Sequence, residues 1–266
     1  MKKEQLEYAA ARYGTPLYIF DLDILKKQTD RLRKALGKET GLCYAMKANP
    51  FLTEQMAEQA DRIEVCSMGE FEICRSLGIP PEKLFISGVL KKKEDIYRIL
   101  EIYGEKCRYT VESVRQLHYF LEWSDTHMKT LRLYPRLTNG SQFGMDEETM
   151  RSIVSIVNMS PYLEIEGIHY FSGTQKRHIR QFRQELQMLD RFLQKIRDEW
   201  NVEIRHLEYG PGTAVPYFIG KEAETYTDDG LGELKEAIRS MEWNGNVTIE
   251  LGRAFAAECG YYLTEI

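Results

Sequence analysis

A single (β/α)8 barrel is the fold class the sequence predicts, and three observations predict it. The chain has 266 residues, long for one ordinary domain but a normal length for such a barrel. Eight short β-type runs alternate with amphipathic stretches, and no low-complexity linker or charge block divides them. The chemically distinctive residues fall at the ends of those runs, where barrels of this kind carry their reactive groups.

The first run, LCYAMK (42–47), is apolar, carries Lys47 at its end and breaks at Asn49-Pro50, since a residue before proline is pushed to extended geometry. RIEVCS (62–67) follows with Glu64 and Ser67 near its end, then LFISG (84–88) and YTVES (109–113). LRLYPR (131–136) brings Arg132, and IEGIHYF (165–171) leads into Gly173 and Thr174. HLEYG (206–210) opens the segment GPG, and VTIEL (247–251) carries Glu250, with Gly252 and Arg253 beyond it. Between the runs lie patterns such as EFEICRSLGI and RQFRQELQMLDRFLQKIRDEW. Their apolar residues recur every three or four positions, as a helix packed on a parallel sheet requires. The lysines at 91–93 open a helix and read as a solvated face, offset by Glu94 and Asp95.

Composition narrows the function classes. A hydrophobic fraction of 43%, a charged fraction of 29% and a net charge of -5 describe a soluble globular protein with no electrostatic grip on nucleic acid. No apolar run approaches the roughly 20 residues that cross a bilayer, and the opening MKKEQLEYAAARYG lacks the apolar core of a signal peptide. A cytoplasmic protein acting on small molecules is expected. The cysteines, Cys43, Cys66, Cys74, Cys107 and Cys259, form an odd set without a CxxC pair, which suits reduced, buried thiols. His118, His127, His178 and His206 show no metal-ligand spacing, and no metal site is expected.

The run ends converge on one chemistry. Gly210 and Gly212 let backbone N–H groups approach an anion after a strand, and barrels of this type often bind phosphate after their last two strands. Val215 stands where the third glycine of a dinucleotide fingerprint would be. Arg253 can add a charge-assisted contact to a phosphate, and Thr174 a hydroxyl. A phosphate at one end, Lys47 across the mouth and Glu250 two residues before Gly252 are the parts that pyridoxal 5'-phosphate needs. Lys47 would form the Schiff base, as a desolvated amine beside other cations with a lowered pKa. Glu250 would keep the pyridine nitrogen protonated, so that the ring accepts the electrons of a broken bond at Cα.

These residues resemble a known family, the pyridoxal-phosphate decarboxylases of the alanine-racemase fold (fold type III), and most closely its diaminopimelate decarboxylase group. The likeness runs through nearly the whole chain. YGTPLYIFD (13–21) is similar to the family's opening strand, YAMKANP (44–50) to its lysine motif and SMGEFEICRSLGIPPEKLFISG (67–88) to the segment after it. LRLYPRL and SQFGMD (141–146) resemble its middle, GIHYFSGTQ (167–175) and LEYGPGTAVPY (207–217) its phosphate loops, and IELGRAFAAECG (249–260) its Glu-Pro-Gly-Arg segment. The single motifs are short; their order is specific.

The resemblance implies an N-terminal segment with the opening strand of a β domain over 1–22, the cofactor-binding barrel over 23–255, and the start of a C-terminal β domain over 256–266. It implies that Lys47 carries the cofactor, that Gly173, Thr174, Gly210, Gly212, Gly252 and Arg253 surround its phosphate, and that Glu250 faces the ring nitrogen. Glu64 and Arg132 fall where the family has further pocket residues. Phe171 takes the place of the histidine that usually stacks on the ring, and it can stack but not donate a proton. Pro211 replaces a glycine and removes one backbone donor, and Leu251 replaces a proline. His169 lies near the same pocket.

The expected activity is decarboxylation of an amino acid, free or carrier-bound, by a homodimer. A ring carboxylate favours this over racemisation, because racemases of this fold set an arginine there. About a third of a typical member lies beyond GYYLTEI, including residues of its active site, so this chain alone is expected to show little activity. A non-catalytic or partner-dependent cofactor-binding module is the alternative from another class.

Overall fold

The structure is a computed structural model that describes residues 1–88, 91–218, 220 and 223–265. Among these, parallel strands close the expected barrel: β2 (Gly41–Ala45), β3 (Arg62–Val65), β4 (Leu84–Ile86), β5 (Arg108–Val111), β6 (Leu131–Leu137), β7 (Leu163–Ile165), β8 (Gly167–Phe171), β9 (His206–Gly210) and β10 (Asn246–Leu251). The ring closes because β10 pairs with β2 and β5 with β6. The run read as one strand over 165–171 is interrupted: β7 pairs with the lower half of β6 and β8 with its upper half. Glu166 makes the break, its amide donating to the Leu133 carbonyl while its own carbonyl accepts from Arg205 and His206. Counted as one interrupted strand, β7 and β8 complete the eight that the sequence predicts.

Helices follow the strands and turn their apolar stripes inward: α2 (Leu22–Leu36), α3 (Thr53–Gln59), α4 (Met68–Ser76), α5 (Lys93–Tyr103), α6 (Val114–His127), α7 (Glu147–Met159), α8 (Ile179–Trp200) and α9 (Asp228–Arg239). The pattern is plainest in α8, which buries Phe182, Leu186, Leu189, Phe192, Leu193 and Ile196 at helical spacing. Side-chain caps fix several starts: Asp21 for α2, Ser67 for α4, Ser113 for α6, Asp146 for α7 and Thr227 for α9 each accept from a first-turn amide. Ser67, read from sequence as the end of a strand, is thus a helix cap.

The segments on either side of the barrel meet. Helix α1 (Lys3–Tyr13) precedes β1 (Leu17–Phe20), which pairs antiparallel with β11 (Gly260–Leu263) after the short α10 (Arg253–Ala256). Of the closing segment 256–266, all but Ile266 lies within the described residues.

The barrel interior is polar to an unusual degree. Arg62 on β3 donates to Glu208 on β9 at 2.5 Å, and both are buried. Since these strands are not neighbours, the pair spans the inside of the barrel. Above it stand Glu64, His169 and Glu250, all buried. A stack of buried charges is tolerated only where they pair or serve chemistry, and this one leads up to the C-terminal rim.

Candidate active site

Lys47 does not end a strand. β2 stops at Ala45, and Met46–Ala48 form a single 3-10 turn that the Tyr44 hydroxyl pins by donating to the Asn49 carbonyl at 2.8 Å. The turn aims Lys47 into a cavity of about 360 Å³ at the rim, lined also by Phe171, Thr174, Gly212, Thr213, Glu250 and Arg253. The lysine Nζ lies 2.7 Å from Glu64 Oε2, 3.3 Å from Glu250 Oε1 and 3.7 Å from Cys66 Sγ. Burial works against its charge, but Glu64, Glu250 and Cys66 together outweigh that and raise its pKa above the ordinary value. The expectation of a lysine among cations with a lowered pKa is therefore corrected: as a free amine, Lys47 is an ammonium among carboxylates.

Both carboxylates are held from behind. Glu64 Oε1 accepts from Ser87 Oγ at 2.6 Å and from Cys66 Sγ at 3.2 Å. Glu250 Oε2 lies 3.2 Å from His169 Nε2. Burial, with Arg136 adding to it, pulls the His169 pKa down to about 3, so the ring is neutral and donates from Nε2. Burial pushes the Cys66 thiol up, and Glu64 adds to the rise.

The opposite end of the cavity is a cradle that admits no side chains. Gly173 and Gly212 have φ of +126° and +67°, and a Cβ on Gly212 would lie 2.2 Å from the Gly173 carbonyl oxygen. The loops after β8 and β9 run side by side, Ser172 N donating to Gly210 O at 2.8 Å and Lys176 N to Gly212 O at 2.9 Å. A Cβ on Gly252 would meet Ala48 at 2.8 Å, so glycine there lets the β10 loop lie on the lysine turn. Arg253 reaches over the cradle and donates to Thr174 Oγ1 and to the Tyr217 hydroxyl. Thr213 Oγ1, buried in the cavity wall, has no partner among the described residues. Phe171 packs its ring on Gly210, whose Cβ would lie 2.5 Å from it, and Lys47 Nζ sits 5.3 Å from the ring centroid.

Arg132 is not part of this constellation. It is the second residue of β6, at the N-terminal rim, and donates to the carbonyls of Glu105 and Lys106. Four residues along a strand span about 13 Å, and it is Arg136 that reaches the catalytic rim. Arg136 is buried, donates to Glu112 Oε2 at 2.7 Å, and sits 5.9 Å from the Phe171 ring centroid and 5.6 Å from that of Phe143. Sequence reading missed Arg136, Glu112, Ser87 and the placement of Cys66; only the alternation along LRLYPRL, which sets 132 and 136 on one face, signals the first.

A barrel with a rim lysine between carboxylates, facing a glycine cradle and an arginine across one cavity, has the parts of a pyridoxal-phosphate-binding barrel. The residues fit the cofactor: the free donor on Thr213, the side-chain-free cradle and the Arg253 fork suit a phosphate, and Phe171 offers a ring face. The chain belongs to the pyridoxal-dependent decarboxylases, whose pyridoxal binding domain matches residues 22–257. It is 25% identical over 278 residues to a diaminopimelate decarboxylase of Aquifex aeolicus, covering 98% of this chain and 64% of that one. It is 27% identical over 293 residues to an L-glutamyl-[BtrI acyl-carrier protein] decarboxylase of Niallia circulans, covering 100% and 67%. The fold matches the crystal structure of the Methanocaldococcus jannaschii diaminopimelate decarboxylase with a TM-score of 0.84 at 24% identity, over 96% of this chain and 64% of that one. The chain thus spans about two thirds of the length of these relatives. Pyridoxal phosphate is the family's cofactor, as the motifs imply.

Proposed function

We propose that this chain binds pyridoxal phosphate at Lys47 and serves the decarboxylation of an amino acid, free or tethered to a carrier. The observation that carries the reading is Glu250, a buried carboxylate 3.3 Å from the lysine and backed by a neutral histidine. When bound, the cofactor supplies a carbonyl for the amine and a ring that accepts the electron pair left by the departing carboxylate. The rest of the work belongs to the chain. Glu64 is placed to take the proton that Lys47 must lose before its nitrogen can attack. Glu250 would hold a proton at the ring nitrogen, with His169 donating to its other oxygen. Thr174, Thr213, Arg253 and the amides around Gly173, Gly212 and Gly252 would hold the phosphate, and Phe171 would support one face of the ring.

The proposed assembly is a homodimer, and the proposed setting the cytoplasm, which the free cysteines support. Among the described residues no helix is long and apolar enough to cross a membrane. The test is release of CO2 and amine from candidate amino acids by the chain with pyridoxal phosphate; racemised substrate without CO2 overturns the reading. Phe171 favours one second reading, a cofactor-binding module without turnover. It would show a visible cofactor band that borohydride bleaches and no product from any amino acid.

A further inference from the structure

Lys176 is the knot of the two phosphate loops. Its amide donates to the Gly212 carbonyl at 2.9 Å, and its own carbonyl accepts from Ala214 N at 3.0 Å and from Thr225 Oγ1 at 2.6 Å. Its side chain lies against the β8 loop, where Nζ donates to Ser172 Oγ and pairs with Glu185 of α8. Glu185 Oε2 also accepts from Ser172 Oγ and, at 2.7 Å, from the Tyr209 hydroxyl of β9. Ser172 and Tyr209 are buried, and the Lys176 and Glu185 side chains are only 18% and 16% exposed. Nothing in the constellation around Lys47 uses this cluster.

The cluster backs the glycine cradle. Ser172 immediately precedes Gly173, and, chain neighbours apart, Lys176 Cε is the one atom among the described residues that a Cβ on Gly173 would meet, at 3.8 Å. Gly173, Thr174, Gly212 and Thr213 line the cavity, and their amides donate to no protein acceptor among the described residues. Such a row of free N–H dipoles suits an anion. Arg253 lies over the cradle and Lys176 behind it. Glu185 comes from α8, outside the ring of strands, so the ion pair is a dipole with its positive end toward the cradle.

We propose that Lys176 is a second, covered cation of the phosphate site, acting through the glycine cradle without touching the ligand, with Glu185 setting its strength. The inference rests on the cofactor reading above and adds to it a positioning residue outside the cavity. Apolar packing could brace the two loops without the desolvation that a covered ion pair costs. A covered ammonium behind unpaired amides does more, because it stabilises a dianion on their far side with little water between to screen it. Glu185 opposes that field. The two residues therefore act on phosphate binding with opposite signs, whereas a purely mechanical clamp would need both alike.

The probes are pyridoxal phosphate and pyridoxal, which differ only in the phosphate, titrated into the full chain and followed by cofactor absorbance. Lys176→Gln keeps a donor for Ser172 and Glu185 but carries no charge. It is expected to bind pyridoxal phosphate about tenfold or more weakly than the wild type, with the affinity for pyridoxal unchanged, while Lys176→Arg binds both as the wild type does. Glu185→Gln leaves the ammonium in place and unopposed, and is expected to bind pyridoxal phosphate at least about threefold more tightly. That arm gives the sign of the effect by itself should Lys176→Gln not fold. An unchanged affinity in Lys176→Gln, equal losses of both probes, or weaker or equal phosphate-form binding in Glu185→Gln overturns the proposal. Opposite, phosphate-selective shifts without CO2 release from any amino acid sink the decarboxylase reading and leave the second cation standing; CO2 release by variants that bind both probes as the wild type does has the reverse meaning.

Discussion

Lys47 and Glu64 form an ion pair of 2.7 Å between a rim turn and a strand. The lysine is therefore stored as an ammonium with its proton acceptor already in contact, rather than as a neutral amine made reactive by cations.

Substituting Glu64→Gln removes one of the carboxylates that raise the Lys47 pKa. The half-point of Lys47 reactivity toward an amine-specific reagent is expected to move to lower pH by at least about one unit, a loss of roughly 1.4 kcal/mol of charge stabilisation. Mass-spectrometric labelling of Lys47 across pH measures it. An unchanged or higher half-point would show that the carboxylate does not set the charge state of the amine.

Arg253→Met removes a cation poised over the glycine cradle, while Arg132→Met removes one from the far rim. Charge-assisted hydrogen bonds contribute about 1.5–3 kcal/mol, so the first change is expected to weaken pyridoxal phosphate binding about 10- to 100-fold and the second to leave it unaltered. Titration followed by cofactor absorbance decides between them, and equal losses would contradict the placement of Arg132.

Gly212→Ala puts a methyl group 2.2 Å from the Gly173 carbonyl oxygen at a φ of +67°. Relief requires the two phosphate loops to part. A stability loss of about 2 kcal/mol or more, read from denaturant midpoints, is expected together with weaker cofactor binding, while Gly232→Ala, on an open helix surface, costs nothing measurable. A Gly212→Ala protein as stable as wild type would mean that the loops are not packed as described.

His169 gives a pH dependence of defined sign. Its folded pKa, about 3, lies below the ordinary 6.5, so the unfolded chain binds its proton first as pH falls. Its contribution is complete above pH 6.5 and is lost from there toward pH 3. Between pH 6.5 and 5 the wild type is expected to lose about 1–2 kcal/mol more than His169→Gln. Glu208, pushed up to about 7 by burial, acts with the opposite sign in part of this range but is common to both proteins. Parallel stability curves from calorimetry would refute the buried neutral histidine.

Much of the fold was legible in the chain. Strand runs of five to seven residues and helical stripes such as that of α8 are local periodicities, and they place the barrel and its eight strand positions. The glycines of GPG and Gly173 were legible for a similar reason: a backbone that must take positive φ, or approach another within contact distance, leaves glycine no substitute. The charge environment of Lys47 was not legible. Glu250 stands 203 positions away and Glu64 17 away, and sequence order carries no sign of which charges closure of the barrel will bring within 4 Å.

The two arginines of LRLYPRL mark the boundary. Alternation along a strand determines that Arg132 and Arg136 share a face, since side chains repeat every second residue. It leaves open which of them stands at the rim, because that depends on where β6 enters the barrel and how far it is staggered against its neighbours. The sequence by itself thus determined the barrel, the rim lysine and the glycine cradle, all consequences of local pattern and backbone sterics. Only the tertiary structure decided that Lys47 turns out of a 3-10 bend between two carboxylates, that Arg136 rather than Arg132 stands near Phe171, and that the Lys91 side chain is covered while Lys92 is exposed. Those outcomes depend on strand stagger and on electrostatic neighbours far apart in the chain, which no local period encodes.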